Sequence, residues 1–282
     1  MKLTDKQLAD YDEKGFVVLS GILTPAEVKL LQSDAEVLRT PRRGHPDANV
    51  YEKDGKSLRA AWAVEIDSEA CRIAHRIPRL LEPVRQLMGE DIYLYQSRLN
   101  YKEALRGDVF QWHQDYGSWV EDGVPNGGHH DMLSILITLD DTTTENGPLR
   151  LIDGSHKEGL IRTDYDEKTT SYALHVVDDA TVDRLLDGRE PFECVGPAGT
   201  VVLFGGCVVH GSKQNRSPRD RRNLYFAYNR RNNIPAPGSV RRKHANNYIM
   251  NPDTLPLSLV PDDALVQLAN DQGFTGATSA AA

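Results

Sequence analysis

The sequence predicts a mainly β fold, a β-sandwich or barrel with helices packed against its outside. Three observations carry this. At Asp91 the chain changes from helix-periodic apolar spacing to short runs of β-branched and aromatic residues. Turn residues such as Asn146-Gly147-Pro148, Asp153-Gly154 and Gly196-Pro197 separate those runs. The chain has no internal repeat with a period of about 20 to 50 residues, which excludes a solenoid or propeller. A helical start followed by many short strands is the pattern of a strand layer covered by helices.

In chain order, Thr4 and Gln7 fit a capping box opening a short helix. Phe16-Val17-Val18-Leu19, between Gly15 and Gly21, reads as a short strand. Thr24-Pro25-Ala26-Glu27 combines a cap, Pro at the first helical position and Glu three residues after the cap. Val28, Leu31, Ala35 and Leu38 follow at helical spacing. Pro41 to Gly55 is polar and reads as loop. Ser68 to Met88 reads as a second helical stretch, interrupted near Pro78 and Pro83 and stopped by Gly89. From Asp91 the strand-like runs are Ile92 to Tyr95, Ser97 to Asn100, Leu133 to Leu139, Leu149 to Ile152, Thr200 to Phe204, Cys207 to His210 and Leu224 to Tyr228. Asp164 to Glu190 is an insert, partly helical around Ala180 to Leu186. No linker divides the chain, so one domain is expected. It would comprise a helical part at about 1–90, a β core at about 91–235 and a C-terminal extension at about 236–282, with Gly276 to Ala282 frayed.

Composition narrows the function. The 282 residues carry 33 Lys+Arg against 41 Asp+Glu, a net charge of −8, which argues against nucleic acid or an anionic membrane as the main partner. Hydrophobic residues at 39% and charged residues at 26% are ordinary globular usage. Cys71, Cys194 and Cys207 are odd in number and far apart, so a disulfide framework is not expected. The N-terminus lacks the apolar core of a signal peptide, and no apolar run is long enough for a membrane span. The expectation is a soluble cytoplasmic protein, monomer or homodimer.

Two of the nine histidines stand out by their company. In Phe110-Gln111-Trp112-His113-Gln114-Asp115, His113 and Asp115 would share a face if both lie on a strand. A second histidine from a distant strand would complete a two-His, one-carboxylate set, which leaves three positions open on Fe(II). His-x-Asp alone occurs often by chance. His210 follows a buried-looking strand in Gly205-Gly206-Cys207-Val208-Val209-His210-Gly211-Ser212, and Arg221 and Arg222 follow about ten residues on. An Arg on that next strand would suit the far carboxylate of 2-oxoglutarate through its planar fork. Composition alone favours a solvated member of the basic run Arg216 to Arg222.

From Tyr93 to Asn232 the chain resembles the phytanoyl-CoA dioxygenase superfamily of Fe(II)/2-oxoglutarate oxygenases, most of all the branch with ectoine hydroxylase and bacterial L-proline 4-hydroxylases. The matching segments occur in the family's order. They are Gln96-Ser97-Arg98-Leu99-Asn100-Tyr101-Lys102, the block Phe110-x-Trp112-His113-x-Asp115-Tyr116-x-x-Trp119-x-Glu121-Asp122-Gly123, then Asn146-Gly147-Pro148-Leu149, Gly154-Ser155-His156, and His210-Gly211-Ser212 with Arg221 downstream. Tyr51 to Gly55 and Tyr228-Asn229-Arg230 look closer to the proline hydroxylases.

The resemblance implies a double-stranded β-helix, a cupin-like jelly-roll barrel with iron in its mouth. It implies His113, Asp115 and His210 as iron ligands, and Asn100, Phe110, Ser212 and Arg221 around 2-oxoglutarate. It places Gln96 beside both cosubstrate and substrate, and Trp119 and Tyr225 beside the substrate. The implied activity is hydroxylation of a small zwitterion, proline-like or ectoine-like, with O2 consumed and succinate and CO2 released. Asp115 argues against a halogenase, which needs the carboxylate position vacated. The alternatives are an oxygenase of this family acting on a different natural product, or a non-catalytic jelly-roll that binds small molecules. His156 is expected either to support the metal ligands from behind or to be structural. Gln114, Gly117, Ser118 and Val120 depart from the ectoine-hydroxylase block, and Asn126 to Asp131 is longer than that branch carries. The pair His129-His130 in that stretch reads as a substrate contact, a surface metal site or a polar loop.

Overall fold

Capping chemistry sets the helical start. In the computed structural model, which describes residues 1–40, 48–239 and 250–275, Thr4 and Gln7 form the reciprocal box that opens α1 (Asp5–Lys14), and Gly15 ends it in the left-handed conformation, φ 91°. Thr24 and Glu27 form the same box at α2 (Pro25–Val37). Val28, Leu31, Ala35 and Leu38 are buried along one stripe, as their spacing predicts. Two short helices, α3 (Val64–Asp67) and α4 (Glu69–Ala74), precede α5 (Pro78–Met88). Pro78 starts α5, whereas Pro83 sits inside it without ending it. Pro83 forfeits one backbone hydrogen bond, and its buried ring joins the apolar face that holds the helix down.

The strands build two antiparallel sheets. β1 (Phe16–Leu19), β2 (Asn49–Tyr51), β3 (Leu58–Trp62), β4 (Ile92–Lys102), β6 (Met132–Thr138), β11 (Val201–Gly205) and β13 (Arg221–Arg230) form one, in the order β1-β11-β6-β13-β4-β3-β2. β5 (Phe110–His113), β7 (Leu149–Leu151), β8 (Asp164–Asp166), β9 (Leu174–Val176), β10 (Phe192–Glu193) and β12 (His210–Ser212) form the other, in the order β10-β7-β12-β5-β9-β8. This is the jelly-roll architecture expected, as two facing sheets. One apolar cluster, with Phe16, Leu136, Val202 and Phe204, lies between them. The larger one lies on the far side of the seven-stranded sheet, where Leu99, Ile135, Leu203 and Phe226 meet α2, α4, α5 and the C-terminal α8 (Ala264–Asp271). No helix among the described residues is long and apolar enough to cross a membrane.

Several expectations need correction. β2 falls inside the stretch read as loop, and β3 inside the stretch read as helical. Both are short strands added at the sheet edge by pairing with β4, a long-range contact that local propensity does not encode. Ile92 to Tyr95 and Ser97 to Asn100 are one strand, with a bulge opposite Ala227 and Tyr228. The strand expected at Cys207 to His210 instead begins at His210, after a turn closed by Val208 N–H to the Gly205 carbonyl (3.0 Å). The insert holds α7 (Asp179–Leu186) as predicted, and also the β8–β9 hairpin. The fraying expected at Gly276 to Ala282 lies outside the described residues.

Candidate active site

Between the sheets lies a cavity of about 660 Å³, counting the space open to solvent at its mouth. Every residue that the resemblance assigned to iron, cosubstrate or substrate lines it: His113, Asp115 and His210; Asn100, Phe110, Ser212 and Arg221; Gln96, Trp119 and Tyr225. The period of two along β4 and β13 explains most of this. Gln96, Arg98 and Asn100 point inward from one strand, and Arg221 and Tyr225 from the other.

His113 ends β5, and the register pairs it directly with His210 at the start of β12. Asp115 is not on the same strand face as His113, as the sequence suggested. The strand ends at His113, and Asp115 is the first residue of a short helix, α6 (Asp115–Trp119), which swings its carboxylate back to the histidines. The three side chains are buried and offer one ligand atom each, all within 4.8 Å of one another. His113 Nδ1 lies 2.6 Å from the Gln111 carbonyl and His210 Nδ1 2.9 Å from the Val208 carbonyl. A carbonyl can only accept, so each ring keeps its proton on Nδ1 and presents a bare Nε2 to the centre. His210 Nε2 lies 3.9 Å from Asp115 Oδ1.

The charges fit cation binding. Burial lowers the pKa of His113 to about 3, with His210 adding to the effect. Burial likewise lowers that of His210. Burial opposes ionisation of Asp115, yet Arg98, His210 and His113 outweigh it and hold its carboxyl below the usual range. Arg98 Nη2 lies 3.5 Å from Asp115 Oδ1, and Ser134 Oγ donates to Oδ2 at 3.2 Å. Two neutral imidazoles and a carboxylate around one point are the donor set for a divalent transition metal with open positions.

At the other end of the cavity Arg221 is 2% exposed and has no carboxylate partner among the described residues. Nη2 donates to the Gly147 carbonyl at 2.6 Å, Nη1 lies 2.8 Å from the Asn223 side-chain amide, whose oxygen accepts from it once the amide is turned to face it, and Nε is buried without a partner. Burial pulls its pKa down. A buried guanidinium with a spare N–H is a receptor for an anion. Arg222 settles the register: it faces the other way and pairs with Asp140 and Glu36, both at 2.6 Å.

Gln96 and Trp119 meet because of the β4 bulge. Tyr95 is the extra residue, so Tyr95 and Gln96 both turn inward. Trp119 Nε1 donates to Gln96 Oε1 at 3.1 Å, and its ring lies edge-on to Tyr95 at 5.8 Å. Trp119 is thus both core and wall. The gap left at Gln96 between two sequence runs was the trace of the bulge.

Sequence reasoning missed Arg98, Lys102, Trp62 and Tyr172. The first two had a signal, since Gln96, Arg98, Asn100 and Lys102 continue one period-two series. Arg98 lies over the Tyr225 ring at 4.6 Å and the Trp62 ring at 5.3 Å. Lys102 Nζ donates to the Asp108 carbonyl (2.7 Å) and to the Lys213 carbonyl. Burial, with Arg221 and Arg59 nearby, pulls its pKa well down. Trp62 and Tyr172 arrive from β3 and from the β8–β9 insert and had no local signal. Gln114, one of the departures from the family block, ties three segments together. It donates to the Gly159 and Cys207 carbonyls at 2.8 and 2.7 Å and accepts from Ile161 N–H at 2.9 Å. His156 lies outside the cavity, stacked on His129 at 4.3 Å.

The family model of phytanoyl-CoA dioxygenase matches residues 11–223. The chain belongs to the phytanoyl-CoA dioxygenase family. Within this family it is 31% identical to ectoine dioxygenase from Bordetella bronchiseptica over 243 residues, covering 83% of this chain and 78% of that one. It is 33% identical to L-proline trans-4-hydroxylase from Streptomyces griseoviridis over 237 residues, covering 80% and 86%. Among solved structures it resembles EctD from S. alaskensis with 2-oxoglutarate and 5-hydroxyectoine, with a TM-score of 0.78 and 30% identity over 92% of this chain and 88% of that one. The same relative has also been solved with bound Fe, and it aligns with this chain at a TM-score of 0.78.

Proposed function

We propose that the protein is an Fe(II)- and 2-oxoglutarate-dependent dioxygenase that hydroxylates an unactivated C–H bond of a small zwitterionic, amino-acid-type substrate. One O2 and one 2-oxoglutarate would be consumed per turnover, one oxygen atom leaving in the product and the other in succinate, with CO2 lost. The observation that carries this is the arrangement of the cavity. Two bare imidazole nitrogens and a carboxylate lie within 4.8 Å of one another, and a buried arginine with no carboxylate partner among the described residues lines the same cavity.

His113, Asp115 and His210 would hold the iron, and their donor set fits it. Bound there, iron supplies the oxygen-activating chemistry that the side chains lack. Arg98 and Ser134 fix the Asp115 carboxylate, and the two backbone carbonyls fix the histidine tautomers. Arg221 would bind the far carboxylate of 2-oxoglutarate, with Asn100, Phe110 and Ser212 shaping the slot. Gln96 spends its acceptor on Trp119, which leaves its amide N–H groups for cosubstrate or substrate. The Trp119 and Tyr225 rings would wall the substrate, and an aromatic face suits its cationic nitrogen. The relatives that act on ectoine and on proline support this substrate class.

Anaerobic addition of Fe(II) and 2-oxoglutarate should give a visible metal-to-ligand charge-transfer band. A panel of free amino acids and ectoine-type solutes, read by succinate release and a product mass about 16 Da higher for the one added oxygen atom, should then yield at least one hit. Absence of the band would overturn the cofactor assignment. A band with succinate release triggered only by substrates outside this class would overturn the substrate assignment.

A further inference from the structure

A second group of two histidines and an aspartate lies outside the cavity. Asp12, in the last turn of α1, and His129 and His130, in the turn before β6, each offer one ligand atom, all within 4.8 Å of one another. His129 Nε2 and His130 Nε2 lie 3.6 and 3.5 Å from the same oxygen, Asp12 Oδ1. Ligands on a tetrahedral ion with bonds of about 2.0–2.1 Å stand about 3.3–3.4 Å apart. The two histidine–carboxylate spacings are thus near those of an occupied site, and the third pair lies within 4.8 Å.

Two further observations point to a cation. Both ring nitrogens of His129 are buried without a hydrogen-bond partner among the described residues. His130 Nδ1 lies 2.9 Å from the Leu87 carbonyl, which places a proton on that nitrogen, so in the neutral ring Nε2 is a lone pair facing the Asp12 carboxylate. A proton between them could satisfy one pair, whereas a metal ion would be bound by all three groups at once. The loop is held in place beforehand. Tyr11 Oη donates to the His129 carbonyl at 2.9 Å, its ring stacks on His129 at 4.1 Å, and Asp131 N–H closes the turn onto the Gly128 carbonyl at 3.0 Å. Asp12 and His130 are open to solvent, with side chains 63% and 46% exposed, so an ion has a way in.

We propose that Asp12, His129 and His130 form a second, structural site for a borderline transition-metal ion, Zn(II) by preference, with water completing its coordination. The site would clip α1 to the lengthened Asn126 to Asp131 stretch. It is separate from the iron centre and does not depend on the activity proposed above.

The test is metal stoichiometry on the tag-free full chain, stripped by chelation and equilibrated with Zn(II) by dialysis. Zinc also binds two-His, one-carboxylate sites, so the wild type should take two equivalents. His130→Ala and Asp12→Ala change exposed side chains and should each take one, with affinity at the second site down at least about 10–100-fold, the loss seen when even an outer-shell partner is removed. The double variant His113→Ala/His210→Ala should keep one equivalent, and Zn(II) should raise its Tm. Adding His130→Ala to that variant should abolish both the zinc and the Tm rise. No zinc on the His113→Ala/His210→Ala variant, or an undiminished zinc content in His130→Ala, would overturn the proposal.

Discussion

The two faces of the β4–β13 strand pair are built from alternate residues of the same segments and do opposite things. The outer face carries Leu99, Tyr101, Leu224, Phe226 and Tyr228 and is packed under the helices. Its polar atoms are tied off: Tyr101 Oη donates to the Ala35 carbonyl at 2.7 Å, and Tyr228 Oη to the His75 carbonyl at 3.0 Å. The inner face carries Gln96, Arg98, Asn100, Lys102, Arg221, Asn223 and Tyr225, nearly as well buried and far less fully paired. Arg98 Nε and Arg221 Nε have no partner among the described residues. Burying polar groups unpaired costs about 1–3 kcal/mol each. Guanidinium nitrogens left unpaired on the inner face suit ligands that complete the bonding.

Variants should separate the two faces, and the largest effect belongs to the centre the inner face supports. Asp115→Ala should abolish turnover, by more than about 10³-fold given what charge-stabilising groups contribute, while circular dichroism stays that of a folded protein. Retained hydroxylation would refute the assignment of the three ligands. Next comes Arg221→Ala, which should raise the 2-oxoglutarate KM by roughly 30-fold to several thousand-fold, the equivalent of about 2–5 kcal/mol for a buried charged contact. The KM for the hydroxylated substrate should move much less.

Outer-face changes should move stability alone. Leu224→Ala should cost about 2–5 kcal/mol in denaturant unfolding with the 2-oxoglutarate affinity unchanged. A shift in that affinity would show that the faces are not independent. His75, also on this side and against the Phe226 ring at 5.4 Å, makes the outer face acid-sensitive. Burial, with Arg76 nearby, holds its pKa at about 3 in the folded chain, against the ordinary histidine value of 6.5. The unfolded chain binds the proton first, so stability is full above about pH 6.5 and falls toward pH 3, by up to about 1.4 kcal/mol per pH unit. His75→Leu should flatten that limb relative to the wild type. An unchanged slope would mean that His75 does not stay neutral. The smallest effect is expected of Arg222→Ala. Its ion pairs with Asp140 and Glu36 lie at the start of β13 and are worth about 1 kcal/mol, with no change in 2-oxoglutarate KM. If Arg222→Ala carries the cosubstrate loss instead, the inward register of β13 is wrong.

Much of this was legible before any coordinates. Caps are local chemistry, so Thr4 with Gln7 and Thr24 with Glu27 announced α1 and α2. Alternation is local too, and it made the inner residues of β4 and β13 readable as sets. The ligand residues were legible through family likeness, because His-x-Asp on its own carries little information. The sequence by itself determined which residues alternate, where helices begin, and which side chains are chemically able to hold a metal or a carboxylate. It did not determine who meets whom. The pairing of His113 with His210, the turn that makes Asp115 a helix residue, the bulge that brings Gln96 to Trp119 and the approach of His129 and His130 to Asp12 all join segments far apart in the chain. Such contacts are decided by how the sheets close on one another, because their energies depend on distances that no short window of sequence contains.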